Sequence, residues 1–152
     1  MPLETYNNRA KLMPVAVKRV YEKPLRADGA RVLVDRLWPR GVRKEAVHLW
    51  LKELAPSDQL RHWFHARPQN WDMFRRRYLK ELSRPQAAAA LEELYRLAER
   101  RSRLTLLFAS RNLEHNNAVV LKQLLEGMRK PPNSSGPLRA AAGAVRARRT
   151  RS

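Results

Sequence analysis

Apolar and polar positions follow two different rhythms along this chain. Val15–Val20 (VAVKRV) reads as a first strand, and Arg31–Val34, β-branched and apolar at its centre, as a second. Pro24, Asp28 and Gly29 place a turn between them. Leu104–Ala109 is a third stretch of strand length, far downstream. Between the second and third strands the spacing changes to three and four. Lys44–Leu54 is expected to be a short helix ending before Pro56, and Ser57 to cap another over Asp58–Phe64. Trp71, Phe74, Tyr78 and Leu82 line one face of a helix over Trp71–Leu82. Ala87, Leu91, Leu94 and Ala98 do the same within Pro85–Arg101, where Glu92 and Arg96 form a supporting pair one turn apart. After the third strand, Asn112 is expected to cap a last helix, Leu113–Met128, with Val120, Leu121, Leu124, Leu125 and Met128 facing inward. Pro131 and Pro132 stop it.

Strands separated by helices predict a single α/β domain, with a small, mainly parallel sheet of about three strands covered by helices. The domain is expected over residues 14–130. Residues 1–13 read as a flexible, unpatterned extension, and Met13 is a candidate start. Residues 131–152 lack apolar mass for a core and read as a disordered tail. There is no internal repeat.

Charge and composition narrow the picture. The 152 residues carry a formal net charge of +18 and no cysteine. Without cysteine there are no disulfides, thiol nucleophiles or thiolate zinc sites, which fits a reducing cytoplasm. No secretory apolar segment is visible, and no apolar run approaches the roughly 20 residues of a membrane span. The segment Arg129–Ser152 contributes Arg129, Lys130, Arg139, Arg146, Arg148, Arg149 and Arg151 with no acidic residue, and the remainder is basic too. An anionic partner is therefore expected for the whole molecule, either a small molecule or nucleotide, or nucleic acid through core and tail. Oligomeric state has no sequence signal.

Ligands of open α/β sheets bind outside the carboxyl ends of the strands. Two strands here end in charged sequence. The second runs into Asp35-Arg36, then Trp38-Pro39-Arg40-Gly41; the third runs into Ser110-Arg111-Asn112, then Glu114, His115 and Asn116. If the two strands are parallel neighbours, Arg36, Arg40 and Arg111 converge on one crevice, and the following helix adds unpaired N–H groups. Guanidinium forks suit phosphate or carboxylate. Asp35 is placed to fix one arginine by ion pairing. Pro39 stiffens the loop, Gly41 frees its end, and Trp38 is either a pocket wall, a stacking surface or a cap on the core. Asp35, Glu114 and His115 are the candidate acid–base groups; Arg36, Trp38, Arg40, Arg111 and Asn116 are the candidate ligand-binding groups. His62 and His65 are spaced for a metal but lack an evident third ligand, and His48 shows no partner, so no metal is expected. Ser110 has no nucleophile-elbow context. Arg75, Arg76 and Arg77 read as a solvated helix face able to touch phosphates. No glycine-rich dinucleotide or P-loop motif is present, so no cofactor is expected.

The segments VKRVYEKP, RVLVDRLWPRG, LKELAPSDQLRHWF with His65 after it, WDMFRRRYLKEL and LTLLFASRNLEHNNAVVL resemble the YeaO-like proteins. These are small bacterial proteins carrying domain of unknown function 488. The resemblance spans roughly Val15–Met128 and implies a compact, cytoplasmic α/β domain without an assigned activity. Its motif positions correspond to Lys18, Arg19, Tyr21, Asp35, Arg36, Trp38, Pro39, Arg40, Gly41, Trp50, Pro56, Ser57, Arg61, Phe64, His65, Arg111 and Asn116. Three segments depart from it. His48 stands where an aspartate is usual, Ala66-Arg67 where His-Asp is frequent, and Asn117 where a histidine is common. If a missing group is catalytic, this chain is an inactive or altered relative. Three functions remain open: an enzyme or sensor for a phosphorylated or nucleotide-like ligand, a nucleic-acid-binding protein, and an interaction module without catalysis.

Overall fold

The computed structural model describes residues 15–128. The readings for residues 1–13 and 131–152 lie outside them. Four strands, β1 (Val15–Arg19), β2 (Ala30–Leu33), β3 (Leu49–Trp50) and β4 (Leu104–Phe108), form one sheet in the order β1-β4-β2-β3. Every pairing is parallel, and β2 and β4 are direct neighbours, with Val32 opposite Leu106 and Leu33 opposite Leu107. Four helices complete the domain: α1 (Asp58–Ala66), α2 (Trp71–Leu82), α3 (Pro85–Arg100) and α4 (Asn117–Gly127).

The two-residue period of a strand divides the core. Val32, Leu106 and Phe108 pack with Leu60, Phe74, Leu91, Leu94 and Leu121, so all four helices contribute to one cluster. Leu33 and Leu107, one residue over, join Val20 and meet Trp38, Val42, Val47 and Trp50. Helices thus cover one face of the sheet, and the segment 35–50 covers the other. Burying each such side chain contributes about 1.5–3 kcal/mol. The far face also holds ions. Asp28 accepts from Lys18 Nζ at 2.9 Å and from Arg31 Nη1 at 2.6 Å, and Arg31 Nε donates to the Ala46 carbonyl at 2.6 Å. Gly29 makes this turn possible. Its φ is +66°, and a Cβ there would lie 2.2 Å from the Arg103 carbonyl oxygen.

The structure departs from the sequence reading in three places. Lys44–Leu54 is not a helix. It is two 3-10 turns flanking β3, because Leu49 turns to the helix-side core while Trp50 turns to the far face. Ladder bonds to β2 hold it, His48 N–H to Arg31 O and Leu51 N–H to Leu33 O, both at 2.9 Å. This short edge strand makes the sheet four-stranded. His48 is not partnerless, since its Nδ1 accepts from the Arg31 N–H at 2.9 Å. The last helix starts at Asn117 instead of Leu113. Asn112 Oδ1 accepts from the Glu114 and His115 N–H groups at 3.1 and 2.9 Å, closing an isolated turn, and Asn116 caps the helix by accepting from Val119 N–H at 3.0 Å. The caps at Ser57 and the extents of α2 and α3 follow the sequence closely.

Candidate functional site

The carboxyl ends of β2 and β4 open into a cleft of about 690 Å³. The chain after β2 supplies Asp35–Pro39; the chain after β4 supplies Ala109–Asn112 and His115–Asn117. Helices α1 and α2 close the opposite side with Arg61, Phe64, His65 and Phe74, and Pro56 and Pro68 add apolar wall. The helix side is rigidly tied. Ser57 caps α1 and is itself held by Glu81 of α2, whose carboxylate accepts from Ser57 N–H at 2.8 Å and from its hydroxyl at 2.6 Å.

Three arginines line the cleft. Arg36 and Arg111 come from the two strand ends, and Arg61 from α1. Arg36 donates to the Pro56 carbonyl at 3.4 Å, and Arg61 lies 3.6 Å from the exposed Asp58. Arg111 is exposed and has no ion-pair partner among the described residues. Arg40 does not join them. Its side chain is exposed outside the lining, within a turn in which Val42 N–H reaches the Pro39 carbonyl and Gly41 takes φ +78°.

Asp35 is the sole carboxylate among the lining residues. It makes no ion pair with an arginine; one oxygen accepts from Ala109 N–H at 2.9 Å and the other from Asn117 Nδ2 at 3.1 Å. Burial pushes its carboxyl above the usual value, against the opposing pull of those two donors and of Arg61. Asn117 also donates to the Val34 carbonyl at 2.9 Å, so it bridges α4 to the end of β2. Trp38 serves two of the purposes foreseen for it. It lines the cleft and also caps the far-face core, edge-on to Trp50 at 5.4 Å with Nε1 donating to Val42 O.

Glu114 is exposed and outside the lining. Asn116 touches the cleft, but its side chain is occupied, its oxygen in the helix cap and its amide donating to Asn112 O at 2.8 Å. His115 is in the lining, half-buried, with its ring parallel to Trp71 at 4.5 Å. It precedes α4 and so does not sit in a helical first turn. Residue spacing did not assign Arg61, His65 or Asn117 to this site; the family resemblance touched all three positions. His62 stays outside the lining, and among the described residues no three of His, Cys, Asp and Glu gather to hold a metal. No helix among the described residues is long and apolar enough to cross a membrane.

A family described as the inactive DUF488-N3 subclade matches residues 14–138 of this chain. The uncharacterized protein Rv3073c of Mycobacterium tuberculosis is 47% identical over 115 residues, which cover 74% of this chain and 94% of the relative. Mb3100c of Mycobacterium bovis gives the same figures, 47% over 115 residues. YeaO of Escherichia coli is 40% identical over 120 residues, 76% of this chain and 100% of YeaO. No solved structure matches the chain.

Proposed function

The chain belongs to the YeaO-like DUF488 family, and we propose that it binds a phosphorylated or nucleotide-like anion in the strand-end cleft without turning it over. The observation that carries this reading is the convergence of Arg36, Arg61 and Arg111 on an apolar cleft whose sole lining carboxylate, Asp35, is already engaged. The volume of about 690 Å³ lies within the range of small-molecule sites. Guanidinium groups with spare donors offer bidentate bonds to phosphate oxygens, and the apolar walls strengthen those bonds by excluding water.

Binding is favoured over catalysis by what stands beside Asp35. The position where a histidine is common in the family holds Asn117, whose amide donates to Asp35 and neither gains nor loses a proton near neutral pH. Glu114 stays outside the cleft. The description of the matching subclade as inactive agrees with this reading.

The test is calorimetric titration of the full chain with inorganic phosphate, pyrophosphate, ribose 5-phosphate and adenosine monophosphate. At least one is expected to bind below about 1 mM, and Arg111→Ala to weaken it by about tenfold or more, since a hydrogen bond to a charged group is worth roughly 1.5–3 kcal/mol. Failure of all four to bind would overturn the proposal.

A second reading, nucleic-acid binding, has one specific observation behind it. On the α1–α2 surface, Trp63 carries Arg77 at 4.4 Å and Arg67 at 5.6 Å, with Arg76 exposed nearby in sequence. Such binding would fall steeply with salt.

A further inference from the structure

Phe64, Phe74 and Trp71 form a cluster of mutually touching rings beside the cleft, with Phe64 and Trp71 5.8 Å apart. Phe64 lies on Phe74 with centroids 4.5 Å apart and planes inclined by 27°. Phe74 lies on Trp71 at 5.6 Å and 21°. Trp71 lies on His115 at 4.5 Å and 12°, the most nearly parallel pair in the series. His115 lines the cleft, whereas Trp71 is not part of the lining. One face of the imidazole is therefore covered by the indole, while the residue itself borders the open volume.

We infer that the ligand carries a planar aromatic ring that stacks on His115 while its anionic group is held by Arg111. The inference rests on the anion-binding reading and specifies the rest of the ligand. His115 is already held in position by its neighbours. Its backbone N–H is fixed by Asn112 Oδ1 at 2.9 Å, and Trp71 fixes the plane of its side chain. A platform already ordered loses little entropy on binding. Arg111 lies on the same loop, so one short segment presents a stacking surface and a phosphate fork together. Aromatic bases stack on such rings whatever their sequence, because every base has a π-face. A free nucleotide and a nucleotide within a single strand share this chemistry.

The experiment is calorimetric titration of the full chain, its His115→Ala and His115→Phe variants and Arg111→Ala. The probes are ribose 5-phosphate, adenosine monophosphate and a short single-stranded oligonucleotide. Adenosine monophosphate is expected to bind about tenfold or more tighter than ribose 5-phosphate, the effect of one base-to-ring stack. His115→Ala should erase that preference and leave ribose 5-phosphate affinity within about twofold. His115→Phe, which keeps a ring without the imidazole nitrogens, should retain it, and Arg111→Ala should weaken both phosphates alike. Tighter binding of the oligonucleotide, lost in His115→Ala, would support the same platform and identify a strand as the source. Equal affinity for ribose 5-phosphate and adenosine monophosphate would overturn the stacking inference and leave the anion site standing. Binding of no probe would remove both.

Discussion

Two aspartates flank β2, and their surroundings could hardly differ more. Asp28 precedes the strand and sits 6% exposed, with Lys18 at 2.9 Å and Arg31 at 2.6 Å. Asp35 follows the strand, at the cleft, and accepts from neutral donors, the Ala109 N–H and the Asn117 amide. Burial raises the pKa of each. At Asp28 the Leu25 N–H, Lys18 and Arg31 more than reverse it, and the carboxyl titrates below its ordinary value of 3.8. At Asp35 burial prevails, and the carboxyl titrates above 3.8. A buried charge held by two cations belongs to architecture. A half-buried carboxylate with no cation bonded to it, at a cleft lined by three arginines, is a feature that packing does not need.

The largest effect expected from this contrast is on stability. Asp28→Ala leaves Arg31, 2% exposed, with its charge uncompensated and should cost about 3–5 kcal/mol in urea unfolding. Asp35→Ala strands two donors without stranding a cation and should cost about 1–3 kcal/mol. Equal costs, or the reverse order, would break the distinction between the two sites.

The next effect lies in pH dependence, where the two carboxylates act with opposite sign. Asp28 is depressed when folded, so its contribution is present above pH 3.8 and is lost as pH falls through its folded value. Asp35 is raised when folded, so the native state binds its proton more tightly than the unfolded chain does. Stability from Asp35 therefore grows as pH falls from neutral through its raised value, and levels off once the unfolded chain is protonated near 3.8. Urea midpoints of the wild type and Asp35→Asn, measured from pH 7 to pH 3, should show the wild type gaining on the variant down to about pH 4. A constant or shrinking margin would mean that Asp35 is not desolvated.

The sequence made one half of the cleft legible and left the other half hidden. Arg36 and Arg111 could be placed because charged residues directly after two apolar runs become neighbours once the strands run parallel, and β2 and β4 do. Arg40 was out of reach of that logic, because it sits inside the turn from Pro39 to Val42, one residue past the last of its segment that lines the cleft. Arg61 and His65 come from α1, and where a helix crosses a sheet is decided by packing that no local spacing records. β3 was invisible for a related reason. Its two residues have little strand signal of their own and are held by ladder bonds to β2. The start of α4 was misplaced because Asn112 and Asn116 are both good caps, and only the fold shows that the first closes a single turn. The stacking of His115 on Trp71 joins distant segments, so neither residue announces it.

The smallest effects sharpen the same division, between groups inside the cleft and charges beside it. Glu114 and Arg40 are exposed and outside the lining, within a few residues of Arg111 and Arg36 respectively. Each can act on a bound anion only through solvent, where a single charge is weak and screened over roughly 8–10 Å at ordinary ionic strength. Glu114→Gln should therefore tighten adenosine monophosphate by less than about twofold and Arg40→Ala weaken it by less than about twofold. Both should change stability by no more than about 0.5 kcal/mol, and both binding effects should vanish in high salt while the loss in Arg111→Ala persists. A tenfold change in Glu114→Gln that survives salt would mean that the loop after β4 turns inward when ligand binds. The carboxylate would then face the ligand directly, and the case for binding without acid–base chemistry would lose its footing.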